Sequence, residues 1–248
     1  MAVREYVFDE HAVPWKEPDR PDRQNAGFLT KMLADGVDGR PWMAVTIQPE
    51  GFKNPAHFHT EAQFQVLLDG GITFPAHPLE AIAIHYSDGY TPYGPFLLGD
   101  LGCKFAVLRV RDSEQIFMSD AEGRKRRNPH GREIFGRSPK DAAWEKPLDT
   151  LPGVRRKILL GTEGEKTPQA QIWRCAPNVV LHRREAPFGE FGLLLTGGAR
   201  SGNREMNPGF VRFVIGDDPP TPLHCGEEGA TWLILTFDEA AAEKRTVP

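Results

Sequence analysis

Phe64-Gln65-Val66-Leu67-Leu68-Asp69-Gly70-Gly71 returns 127 residues later as Phe191-Gly192-Leu193-Leu194-Leu195-Thr196-Gly197-Gly198. Each copy is a short apolar run stopped by paired glycines, the pattern of a buried strand that ends in a turn. Two further matches keep the same order at nearly the same offset. Gly27-Phe28-Leu29-Thr30-Lys31-Met32-Leu33 aligns with Gly153-Val154-Arg155-Arg156-Lys157-Ile158-Leu159, and Trp15-Lys16-Glu17-Pro18 with Trp144-Glu145-Lys146-Pro147. Collinear matches of this kind predict that a unit of about half the chain has been duplicated.

The rest of the chain has the same texture. Short apolar runs recur at Trp42 to Ile47, Ala81 to Tyr86, Lys104 to Val110, Val179 to Leu181, Phe210 to Ile215 and Thr231 to Phe237, each bounded by Gly, Pro, Asp or Asn. With 25 Gly and 22 Pro in 248 residues, long helices have little room. Glu239 to Lys244, and with less pattern behind it Phe28 to Leu33, read as the helical stretches. The expected fold is all-β, a tandem pair of antiparallel sandwiches or barrels. The expected domains are 1–118 and 141–248, joined by 119–140, a polar linker or surface loop that holds the basic run Arg124-Lys125-Arg126-Arg127. No aromatic residues interleave with that run, so it is read as a solvated loop without function.

Composition removes several function classes. A hydrophobic content of 40% with 26% charged residues belongs to a globular protein rather than a disordered one. The net charge of −4 gives no basic field for nucleic acid or an anionic membrane, so neither is an expected partner. The first ten residues carry charges where a secretory signal needs an apolar run, which makes the cytoplasm the expected location. Cys103, Cys175 and Cys225 are odd in number, lack Cys-x-x-Cys spacing and read as reduced, partly buried thiols.

Chemistry concentrates in Gly51-Phe52-Lys53-Asn54-Pro55-Ala56-His57-Phe58-His59-Thr60-Glu61-Ala62-Gln63, which runs into the first repeated strand. On an extended strand alternate side chains share a face, so His57 and His59 offer two imidazoles to one point while Phe58 faces the opposite layer. Gly51, His57, His59, Gln63 and Gly70 resemble the first motif of the cupin superfamily, G-x5-H-x-H-x3-E-x6-G, with Gln63 in place of Glu. Through the duplication the resemblance extends over most of the chain, in the manner of a bicupin. It implies two double-stranded β-helix (jelly-roll) barrels and, in the first, a divalent transition metal (Fe, Mn, Ni, Zn or Cu) on His57, His59 and Gln63. His85 or Tyr93 is implied as completing the site, because the second motif keeps its Gly turn but has no His at the usual place. His85 and Tyr93 are also the candidate catalytic residues.

In the second half Arg184 and Ala186 stand where His57 and His59 do, and Glu190 where Gln63 does; His224 follows Pro219-Pro220-Thr221-Pro222 without partners. No metal is expected there, and the second barrel reads as structural support. No G-x-S-x-G elbow is present, so covalent hydrolase chemistry has no sequence support. The resemblance implies either a metal-dependent enzyme acting on a small oxygenated molecule by dioxygenase, isomerase or lyase chemistry, or a non-catalytic barrel that senses a small molecule or metal. It leaves room for a homodimer.

Overall fold

A computed structural model describes residues 2–17, 28–74, 77–145, 151–162, 166–182 and 185–242. The chain is nearly all β, and its described residues form two compact units, one within 13–138 together with 240–242 and one within 139–239 together with 2–12. Each unit holds an eight-stranded antiparallel sheet rolled as a cupin-type jelly roll. The short helix Glu239–Ala242 stands where a helical end is expected. Phe28 to Leu33, by contrast, belongs to the strand Leu29–Asp35, whose backbone pairs with Trp42–Gln48. The tertiary ladder there outweighs the weak helical pattern.

The two sheets follow one path. In the first the order is Glu133–Phe135, Ala83–Ser87, Gln63–Phe74, Phe96–Arg109, Trp42–Gln48, Leu29–Asp35. In the second it is Arg4–Asp9, Phe210–Gly216, Ala186–Ser201, Leu223–Thr236, Gln169–Cys175, Val154–Leu160. Register repeats as well as order. Thr46 faces Phe105 and Gln65 faces His85 in the first sheet; Trp173 faces Trp232 and Gly192 faces Arg212 in the second, each pair 127 residues on. The repeated glycines explain themselves. Gly70 and Gly197 have φ of 78° and 77°, and a Cβ on either would run into the carbonyl oxygen of Gly102 or Gly229 across the ladder.

What differs is the filling. The first barrel encloses a cavity of about 480 Å³, whereas the pocket beside Trp173 in the second measures about 10 Å³. Thr46 lines the first cavity, and the indole of Trp173, 3% exposed, takes its place in the second.

One outermost strand of each sheet comes from outside the part that repeats. Glu133–Phe135, within the stretch read as linker, adds to Ala83–Ser87 and brings Glu133 Oε1 to 3.1 Å from His85 Nε2. The basic run beside it forms the 3-10 turn Gly123–Arg126, with Lys125 paired to Glu122 and Arg126 to Glu114. Arg4–Asp9, assigned from sequence to the first half, instead pairs with Phe210–Gly216 of the second sheet. The physical reason lies in Glu5. Its carboxylate accepts hydrogen bonds from Arg212 Nε at 2.8 Å, Ser201 Oγ at 2.5 Å and Thr221 N at 3.1 Å, and Arg212 is only 3% exposed. Burial alone would raise the Glu5 carboxyl, but the Arg212 and Ser201 hydrogen bonds and the Arg212 charge hold it below its ordinary 4.5.

Glu5→Gln keeps the shape and removes the charge that offsets Arg212, so it is expected to cost about 3 kcal/mol at neutral pH, as loss of one partner of a buried pair does. Because the folded carboxyl titrates below the unfolded one, this stability is present above pH 4.5 and is lost as pH falls through the folded value. Urea unfolding of both proteins at neutral pH and at about pH 3 should show the gap and then its shrinkage. A gap that does not change with pH would mean that the Glu5 charge is not what holds the strand.

Candidate functional site

His57, Phe58 and His59 form a three-residue strand that pairs with Gln115–Phe117, while His57 also exchanges backbone hydrogen bonds with Tyr93. The strand parity works as expected: His57 and His59 turn to the cavity with ring centroids 5.3 Å apart, and Phe58 is fully buried against the other layer, near Tyr90. Gln63 and Gln65 point inward from Gln63–Phe74, and Arg109 ends Phe96–Arg109 beside Gln63 on the ladder. Tyr93 lies 2% exposed among them.

These side chains form one continuous hydrogen-bond chain whose direction can be assigned. His57 Nδ1 lies 2.7 Å from the Pro55 carbonyl oxygen, an acceptor only, so this nitrogen carries the proton. Its Nε2 then accepts from the Tyr93 hydroxyl at 2.8 Å. The Tyr93 oxygen accepts from Gln63 Nε2 at 2.6 Å and more weakly from Gln65 Nε2 at 3.4 Å. Gln63 Oε1 accepts from Arg109 Nε at 3.0 Å, and Arg109 Nη2 donates to His59 Nε2 at 3.1 Å. The guanidinium is held flat by Trp42, its carbon 4.1 Å from the ring centroid.

Burial sets the protonation. It holds His57 down to about 4 and His59 to about 2, with the Arg109 charge pressing both the same way, so both imidazoles are neutral at physiological pH. Burial raises the Tyr93 phenol above its ordinary range, although Arg109 and the two glutamines pull it back. Arg109 itself is lowered by burial to about 10 and stays charged.

The sequence candidates therefore part company. His57, His59, Gln63 and Tyr93 meet at one place. His85 stands behind Gln65, 2.8 Å from its Oε1, with its other nitrogen toward Glu133, and is absent from the cavity wall. In the second barrel Ala186 and Glu190 are buried and His224 is half-buried, while Arg184 lies outside the described residues. Arg109, Gln65 and Glu133 were not singled out from sequence. The strongest available signal was Arg109: in Lys104 to Val110 the alternate residues Phe105, Val107 and Arg109 share a face, and an arginine at an inward position needs a reason.

The set does not fit a divalent metal. Of the three expected donors, His57 Nε2 and His59 Nε2 have their single lone pairs engaged by Tyr93 and Arg109, and Gln63 Oε1 spends one of its two on Arg109. The donors are neutral, and a dication among them would adjoin a guanidinium. Among the described residues no group of three or more His, Cys, Asp or Glu side chains is arranged to hold a metal. No helix among the described residues is long and apolar enough to cross a membrane.

No family model matches the chain, and no curated protein matches it. Solved structures do. A Nostoc punctiforme protein provisionally named a dioxygenase is 15% identical, with a TM-score of 0.69 over 98% of this chain and 85% of that one. Oxalate decarboxylase of Lactobacillus farciminis in a formate complex is 12% identical, with a TM-score of 0.61 over 94% and 86%. The coconut allergen cocosin is 10% identical, with a TM-score of 0.63 over 95% and 86%. These are proteins of the cupin fold, and likeness at such identities shows the fold alone, which named enzymes and an allergen share.

The assigned proton positions make a direct prediction. In NMR titration the imidazole signals of His57 and His59 should stay those of neutral rings between about pH 5.5 and pH 8. Arg109→Gln should raise the pKa of both, since it removes one of the two main causes of their depression. Titration of either ring near its ordinary value in the unaltered protein would contradict the buried network.

Proposed function

We propose that the first barrel is the site of an enzyme that moves a proton within a small oxygenated organic molecule, an isomerase or a lyase. The observation that supports this reading is the 2.8 Å hydrogen bond between Tyr93 and His57 at the wall of the 480 Å³ cavity. The two groups make a neutral acid and a neutral base already in contact. When a substrate oxygen takes the Tyr93 proton, His57 Nε2 is released to accept one from the carbon or oxygen that loses it. Passage of that proton from His57 back to Tyr93 restores both groups with no net change, which is the requirement for isomerisation.

The transient charges are provided for. A phenolate on Tyr93 would be met by the Gln63 N–H at 2.6 Å, the Gln65 N–H and the field of Arg109, all in position before reaction. His85 is a positioning residue in this reading: its bond to Gln65 Oε1 turns the Gln65 amide so that Nε2 meets Tyr93. The cycle uses no metal, in keeping with donors already engaged. The named oxalate decarboxylase among the structural relatives acts on a small oxygenated molecule, which is compatible with this cavity's size class.

The test is solvent exchange. In D2O, a panel of small hydroxy and oxo compounds is followed by NMR for protein-dependent deuterium incorporation. His57→Gln should lower the rate by at least about 100-fold, the usual worth of a positioned base. Thr46→Trp, which copies Trp173 into the first barrel, should abolish binding and exchange together. A panel member that stabilises the protein without exchanging would make the barrel a binding module instead, and no response beyond that of Thr46→Trp would remove the proposal.

A further inference from the structure

Arg109 is a buried charge whose surroundings do not neutralise it. It is 4% exposed, and Asp112 and Glu61 act on it only through space, Glu61 being bonded to Arg111 at 2.5 Å. Of its five N–H groups, one is donated to Gln63 and one to His59. The side chain forms part of the cavity wall. We infer that the guanidinium of Arg109 is the resident cation of this barrel, standing where the cupin resemblance places a divalent metal, and that the molecule it holds carries a carboxylate. The inference rests on the first barrel being a small-molecule site, as proposed above.

Two of the three expected metal donors are committed to Arg109, and a lone pair that accepts from a guanidinium is not free for an ion. The departure at Gln63 then has a physical reading. A carboxylate at this position would clamp Arg109 in a closed, neutral ion pair; the amide fixes the guanidinium through one hydrogen bond and leaves its charge for a ligand. The second barrel carries different residues at these positions. At the equivalent register stand Glu190 and Thr236, and Thr236 Oγ1 donates to Glu190 Oε2 at 3.4 Å. A planar guanidinium with three uncommitted N–H groups matches a carboxylate in shape and charge. Elsewhere along the same wall Gln48 is 3% exposed and its Oε1 has no hydrogen-bond partner, so a donor such as a hydroxyl on the same ligand would be satisfied there.

Two measurements decide it. In the first, protein stripped with a chelator is titrated with Co(II) and followed by visible absorption and metal analysis. The unaltered chain should take up no stoichiometric ion at His57 and His59. The double variant Arg109→Leu/Gln63→Glu should take up one equivalent and lose it again on His59→Ala. Circular dichroism establishes folding, with Arg109→Gln as the milder replacement if leucine is not tolerated. One equivalent bound by the unaltered chain and lost on His57→Ala would overturn the inference. In the second, calorimetry compares glycolate with glycolamide and benzoate with benzamide. The carboxylates should bind at least about tenfold tighter, and Arg109→Gln should erase the preference. Equal binding of acid and amide, or a preference that survives Arg109→Gln, would overturn carboxylate recognition. Binding of no probe above the Thr46→Trp blank would count instead against the small-molecule reading, and the Co(II) result would still stand or fall by itself.

Discussion

A guanidinium buried inside a β-barrel has to be held by groups that satisfy its N–H bonds without cancelling its charge, and the interior of the first barrel is arranged around that need. Gln63 gives Arg109 a neutral oxygen, His59 a neutral nitrogen and Trp42 the face of an indole. Each consequence passes along the chain. Because Gln63 spends its oxygen on Arg109, its N–H turns to Tyr93; because Tyr93 receives that N–H, its own proton goes to His57; because Pro55 fixes the other nitrogen of His57, the order cannot reverse. The same charge helps to keep both imidazoles neutral. Replacing one member would alter the protonation of residues two bonds away, so the group behaves as a unit.

The two halves show how little is needed to change the use of a barrel. Strand order and register coincide, and the glycines that permit the sharp turns recur with nearly the same φ. The interiors nevertheless diverge at facing pairs: Thr46 with Phe105 leaves space, and Trp173 with Trp232 fills it. Stability in the second barrel comes from closed packing, in which cavities are costly. The first keeps a large opening whose wall carries polar side chains, His57, Tyr93, His59 and Arg109 among them, joined in one hydrogen-bond chain.

Much of this was legible in the sequence. The all-β class followed from apolar runs broken by Gly and Pro, and the parity of His57 and His59 followed from the pleat. The repeat of strand order was readable because Phe64 to Gly71 preserves both the strand and its glycine turn. The rest was hidden for physical reasons. Arg109 is 46 residues from Gln63 and meets it only through antiparallel pairing of two long strands, so no local motif contains both. The partners of His85 were obscured because Glu133 lies in a polar stretch that reads as loop until its three-residue strand finds an edge. Leu29–Asp35 reads partly as helix because its apolar spacing is irregular, and its pairing with Trp42–Gln48 decides the matter. Arg4–Asp9 is the extreme case, since nothing within it announces that its hydrogen bonds lie some two hundred residues ahead.

That last pairing sets an order of events during synthesis. The segment Arg4–Asp9 is synthesised some two hundred residues before the strand it must join, Phe210–Gly216. At translation rates of about 5–20 residues per second, these residues wait on the order of ten seconds or more with their edge unpaired, while the first sheet, complete once Phe135 has emerged, is free to fold without them. The second sheet is thus closed by a strand that precedes the whole of the first in sequence. Deleting Arg4–Asp9 would be felt in the sheet built from the C-terminal half, while the barrel that follows it in sequence would be spared.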